Sequence, residues 1–183
     1  MDNGEFGLAT HAKHAKTQRF IADDARNFSS RTLREVYTAE IGVREATDNN
    51  DGPRVAEYLR YRGLDEGYEW CAAFVSWCHG QAGYPAPRNA WAAALFPSKR
   101  VIWARVTAGA RAGSEGVPQQ GDVFGIYIAS KKRIAHCGFV DGWDGTWCLT
   151  VEGNVENAAV RKRRSVKTIS AVARWGEGEV VRL

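Results

Sequence analysis

The strongest constraint on this chain lies in Glu69-Trp70-Cys71-Ala72-Ala73-Phe74-Val75-Ser76-Trp77-Cys78, running on to Gly83. Cys71, Phe74, Val75, Cys78 and Ala82 recur at steps of three and four, which predicts a helix with these residues along one face. Gly83 is placed as the residue just past the helix end, and Pro85 is the breaker beyond it. Cys71 therefore falls on a first turn, close to backbone N–H groups without intrahelical partners and to the positive end of the helix dipole. Such a position lowers a thiol pKa from about 8.5 toward the 3.5–7.5 range, where thiolate is plentiful at neutral pH. A buried cysteine packing in an apolar helix is the competing reading.

The flanking sequence fixes the company this helix keeps. Thr32-Leu33-Arg34-Glu35 is a capping box that opens a helix with Leu33, Val36, Tyr37 and Ile41 as its stripe. A turn cluster, Asp48 to Gly52, precedes a second helix with Pro53 at its first position and Val55, Tyr58 and Leu59 buried, ending at Arg62-Gly63. A shorter helix spans residues 89–95. Strand character follows at 101–106, 122–129, 134–143, 146–152 and 165–175, with Asp144-Gly145 as a hairpin turn between two of these runs. Helices first and strands afterwards predict an α+β fold, with helices on one face of an antiparallel sheet.

With 183 residues there is room for one domain. We place an arm or short helix at 1–28 and a single domain at 29–183. His11 and His14 in the arm, and His79, read as surface residues. No apolar run reaches the length of a membrane span, and no basic region followed by an apolar block marks a secretory signal. These features predict synthesis in the cytoplasm, without a recognisable signal peptide. The net charge of +4 suits an anionic polymer or surface and does not indicate nucleic acid. Its densest run, Arg161-Lys162-Arg163-Arg164, is expected on a solvated loop or strand end.

The four cysteines, Cys71, Cys78, Cys137 and Cys148, form no CxxC pair and are expected to be mostly free thiols. Cys71 and Cys78 stand about 10.5 Å apart along one helix, too far to share a disulfide or a metal ion. Neither zinc nor any other cofactor is expected. Of the seven tryptophans, Trp77, Trp103 and Trp147 are assigned to the core, while Trp70 and Trp91 are candidates to line a substrate groove or to pack in the core.

A helix-borne cysteine becomes a nucleophile when a histidine takes its proton and a third polar group holds that histidine. The strand half offers one histidine, His136, and downstream Glu152 and Asn154 lie two residues apart, on one strand face. If the turn pairs Gly142 with Thr146, leaving a three-residue loop, His136 lies opposite Glu152. If it pairs Gly142 with Gly145, Val151 takes that place and Glu152 turns away, because a one-residue slip exchanges the faces. A catalytic arrangement thus requires the three-residue loop, or a bulge with the same effect.

The segment 70–78, with Gly121-Asp122-Val123, His136-Cys137-Gly138-Phe139-Val140 and Glu152-Gly153-Asn154, resembles the CHAP family of cysteine, histidine-dependent amidohydrolases/peptidases. That family is papain-like and related to NlpC-type cell-wall hydrolases. The resemblance implies Cys71 as nucleophile, His136 as base, and Glu152 with Asn154 orienting the imidazole. It also implies cleavage of peptidoglycan amides, either between muramic acid and L-alanine or within the stem or cross-bridge peptides. It points to a phage or prophage lysin, a lytic component of a mobile element, or an exported antibacterial toxin. The protein would be a monomer acting on the wall after release or export, with an immunity or export partner in the toxin setting. A non-catalytic binding module of the same fold, and a cysteine peptidase or amidase acting on other substrates, are the alternatives. Two departures stand out: Gln120 replaces the proline often found before the Gly-Asp pair, and Asp65, Glu66 and Glu69 lack the Asp-x-Asp pattern of calcium-binding relatives.

Overall fold

A computed structural model describes residues 31–105 and 116–176; the arm expected at 1–28, with His11 and His14, lies outside them. Among the described residues three α-helices precede a six-stranded sheet, and the α+β expectation holds. α1 (Leu33–Ala39) starts at Thr32, whose hydroxyl accepts from the Glu35 N–H while Glu35 accepts from the Thr32 N–H at 2.8 Å. Ile41, expected in its stripe, lies past the helix end and is 38% exposed. α2 (Pro53–Arg60) has Pro53 where a missing N–H costs nothing, and it buries Val55, Tyr58 and Leu59.

α3 (Cys71–Gln81) is the central helix. It is buried on nearly every side, from Cys71 to His79, because α1 and α2 cover one side and the sheet covers the other. The one-face reading of its sequence is therefore too narrow. Two small residues, Ala72 and Ala73, are as buried as Phe74 and Cys78 and allow close packing. Gly83, at φ 82°, closes the helix in a Schellman arrangement, with Tyr84 N–H donating to His79 O and Gly83 N–H to Gly80 O. His79 is fully buried in the last turn, which corrects its assignment to the surface.

The strands are β1 (Val101–Ala104), β2 (Val123–Ile128), β3 (Arg133–Trp143), β4 (Trp147–Val155), β5 (Ala158–Ser165) and β6 (Ala171–Ala173). Their order across the sheet is β1-β6-β2-β3-β4-β5, with every neighbour antiparallel. Cys137, Phe139 and Val151 face the helices, while Phe124, Val140 and Cys148 form a smaller apolar cluster with Ile169 and Val172 on the far face. The basic run Arg161–Arg164 lies in the C-terminal part of the edge strand β5, the strand-end alternative and not the loop. Charges on both faces of that strand hid the period-two hydrophobic signal, as is usual for an edge. The short helix expected at 89–95 is a 3-10 turn, Ala92–Leu95. Trp147 is 37% exposed with Arg163 stacked 4.1 Å from its ring centre, so it is not a core residue.

The β3–β4 hairpin follows neither register considered from sequence. Gly142 pairs with Leu149 and Trp143 with Cys148, and Asp144 N–H donates to Trp147 O, leaving Gly145-Thr146 at the tip. A bulge between Val140 and Gly142 then shifts the ladder, so that Val140 pairs with Thr150 and Phe139 with Val151. The bulge restores the parity that the even-length turn would have lost. His136 and Glu152 consequently share a face, but as diagonal neighbours. Gly138, not His136, falls opposite Glu152.

Candidate active site

Cys71 is the first residue of α3, and no side chain caps that helix start. The first-turn N–H groups are thus left for whatever lies in front of the thiol. Gly153 lets β4 approach this end of the helix, since a Cβ there would come within 2.6 Å of the Trp70 ring and 2.9 Å of Phe74. The β2–β3 ladder slips by one residue at Ala135, next to His136. Adjacent strand residues ordinarily point to opposite faces. At this bulge both His136 and Cys137 act on the Cys71 thiol, each favouring its ionised form.

His136 Nε2 lies 2.7 Å from Glu152 Oε2, which leaves Nδ1 as the ring nitrogen for Cys71. To span the diagonal, the Glu152 side chain crosses Gly138: a Cβ on that glycine would sit 3.0 Å from Glu152 Cγ and 2.7 Å from Val151 O. The Glu152 carboxylate is fully buried. Arg164 donates to both its oxygens, each at 2.6 Å, and the Thr150 hydroxyl donates to Oε1. The interaction runs Arg164–Glu152–His136–Cys71, from the sheet edge to the helix start.

This chain of contacts sets the charges. Burial works against ionising Glu152, but hydrogen bonds from His136, Arg164 and Thr150 outweigh it and hold the carboxyl down at about 2. Burial also works against a charged His136; bonds to Cys71 and Glu152 overcome this and raise it to about 9. Cys71 is pulled well below the ordinary thiol value by the Cys137 thiol and by His136, against its burial. The other three thiols move the opposite way, chiefly through burial: Cys78 and Cys137 go well above the ordinary value and Cys148 to about 12. All four cysteines are free, and Cys71 alone has its pKa lowered.

The remaining residues singled out from sequence separate. Asn154 is not on the imidazole: at φ 60°, its amide donates to Asn50 Oδ1 at 3.0 Å. Trp70 is fully buried and donates to Glu45 Oε1 at 2.8 Å, so it braces the turn behind the site and does not line a groove. Trp91 does line one. It is 55% exposed on an open groove of about 610 Å³ that also carries Arg62, Tyr68 and Glu69, the last two lying three and two residues before Cys71. Lys131 is ion-paired with Glu69 at the rim, and the Arg133 guanidinium lies 5.7 Å from the Trp91 ring centre. Among the described residues, no group of three or more His, Cys, Asp or Glu side chains is placed to hold a metal ion, and no helix is long and apolar enough to cross a membrane.

Sequence reasoning missed Arg164, Thr150, Cys137 and Gly138. Thr150 was open to detection, because it stands two residues before Glu152 and so shares its face. Arg164 was not, since its role depends on an edge strand with no apolar alternation.

A helix-start cysteine facing a strand histidine that is held by a buried carboxylate places the chain in the papain-like class. A family model for the CHAP domain matches residues 63–154, from just before α3 to the end of the Glu152-Gly153-Asn154 segment. The chain belongs to the CHAP family, which is associated with amidase and peptidase hydrolysis of peptidoglycan. No curated protein and no solved structure matches it.

Proposed function

We propose that this protein hydrolyses amide bonds of peptidoglycan through a thioester on Cys71. The observation that carries the reading is the contrast among four free thiols. The one at the helix start touches His136 and is lowered, whereas the three others are raised. A binding module has no use for that contrast.

In the resting site the proton sits on His136 and the negative charge on Cys71. Cys71 Sγ attacks the amide carbonyl carbon, and the first-turn N–H groups of α3, that of Cys71 among them, receive the developing oxyanion. His136 Nδ1–H gives its proton to the leaving amine as the C–N bond breaks, leaving a thioester and a neutral imidazole. Water then enters; His136 takes its proton, hydroxide adds to the thioester, and the acid and the thiolate separate. Glu152 holds the ring and favours its charged form, and Arg164 with Thr150 keeps Glu152 ionised and in place. The cell wall is the site of action, reached after release or export.

Purified sacculi incubated with the protein should release new amino groups, and mass spectrometry of the fragments then identifies the bond: muramic acid to L-alanine, or one within the stem or cross-bridge. Cys71→Ala and His136→Ala should release none. Release by either variant at the wild-type rate would sink the proposal.

A further inference from the structure

We propose that the groove lined by Arg62, Tyr68, Glu69 and Trp91 takes a segment of substrate bearing a free carboxylate, and that Arg62 receives that carboxylate. This rests on the peptidoglycan hydrolase reading and gives it a specificity.

The inference starts from the state of the arginines. Arg34, Arg54, Arg161, Arg164 and Arg174 each hold a carboxylate at 3.0 Å or less. Arg62 lines the groove, and its one hydrogen bond is a long one, 3.4 Å from Nη1 to Tyr61 O. Its Nε–H is shut off from solvent and bonded to nothing. A guanidinium with a buried, unsatisfied donor gains from an anion that draws it outward, because its planar fork matches a carboxylate with two parallel hydrogen bonds.

The rest of the groove agrees. Glu69, an acid in its lining, is already neutralised by Lys131. Arg133 adds a second positive charge beside Trp91. The walls are the aromatic rings of Tyr68 and Trp91, 57% and 55% exposed, which suit the apolar parts of a short peptide. Aromatic walls alone would also suit a sugar ring; the unsatisfied guanidinium is what selects an anion. A volume of about 610 Å³ fits a few residues of peptide stem.

The test uses the full chain carrying Cys71→Ala, and two synthetic stem peptides that differ only in whether their free carboxylates are left as such or converted to primary amides. Calorimetry should show the carboxylate peptide binding roughly 10- to 100-fold more tightly, the range of a charge-assisted hydrogen bond. Adding Arg62→Gln should abolish the preference, and Arg62→Lys, which keeps the charge without the fork, should retain part of it. Thermal melts confirm that each variant is folded. Equal binding of the two peptides, or a preference that survives Arg62→Gln, overturns the inference. Hydrolysis of the same peptides by the Cys71 enzyme is read separately. If neither is cut while the binding preference holds, the hydrolase reading falls and the groove assignment stands.

Discussion

Glu152→Gln keeps the shape of the side chain and removes its charge, which isolates what the buried carboxylate does for His136. The amide can still reach His136 Nε2, now 2.7 Å from Oε2, but as a neutral partner. A hydrogen bond to a charged group contributes about 1.5–3 kcal/mol, and one pKa unit corresponds to about 1.4 kcal/mol. His136 should therefore fall from about 9 by about one to two units. Arg164, left beside a neutral amide, repels the imidazolium and pushes in the same direction. The thiolate–imidazolium pair exists between the lowered pKa of Cys71 and the raised pKa of His136, so the substitution closes that window from the alkaline side. In a pH profile of kcat/KM for amine release, the alkaline limb should move from about 9 to roughly 7–8, with the acid limb shifting less. Thermal melting should show a separate loss of about 3 kcal/mol, the cost of stranding a largely buried arginine. An alkaline limb that stays near 9 in the variant would refute the role given to Glu152.

Gly138→Ala should act on the same carboxylate from beneath. The new Cβ meets Val151 O at 2.7 Å and Glu152 Cγ at 3.0 Å, so we expect a loss of about 1–3 kcal/mol in melting and a fall in kcat out of proportion to it. Asn154→Gly should change kcat by no more than a small factor, because the amide bonds Asn50 and the backbone is at φ 60°, where glycine is at ease; a collapse of activity would return Asn154 to the imidazole. His79 gives an acid sensitivity that can be measured by denaturant melts. Burial lowers it to about 4, whereas in the unfolded chain it titrates near 6.5. The unfolded state thus binds the proton first, and stability present above pH 6.5 is lost by up to about 3 kcal/mol on falling to pH 4. Cys71, whose pKa is lowered in the folded protein, and Glu152 at the acid end of the interval lose stability in the same direction as the pH falls. His79→Phe should therefore reduce the slope without abolishing it.

Much of this was legible in the sequence, for reasons that particular residues make plain. The Thr32 capping box, Pro53 at a first helical position and Gly83 at a helix end are local signals, and all three elements begin or end where those residues place them. Cys71 at a helix start and His136 on a strand follow from the same local chemistry. The hairpin register did not, because a bulge at Asp141 is decided by what the sheet packs against and leaves no mark in composition. Only the parity came through, and parity was enough to bring His136 and Glu152 to one face. The role of Arg164 was hidden for a related reason. In a run of four basic residues, the one that turns inward is chosen by strand pairing with Cys148. For Trp70 the sequence allows both groove and core, because an aromatic next to a candidate nucleophile suits either; the buried carboxylate of Glu45 holds its indole inside.

The central claim is that Cys71 is a thiolate kept by His136 among three protonated thiols. The most direct test is the ultraviolet absorbance of thiolate as a function of pH, taken as the difference between the wild-type protein and Cys71→Ala. Absorbance requires no access for a reagent, so the burial of the thiol does not interfere. The account predicts one thiolate titrating well below the ordinary thiol value of about 8.5, and its shift upward in His136→Ala. A difference spectrum that titrates at or above that value, with or without His136, would contradict it.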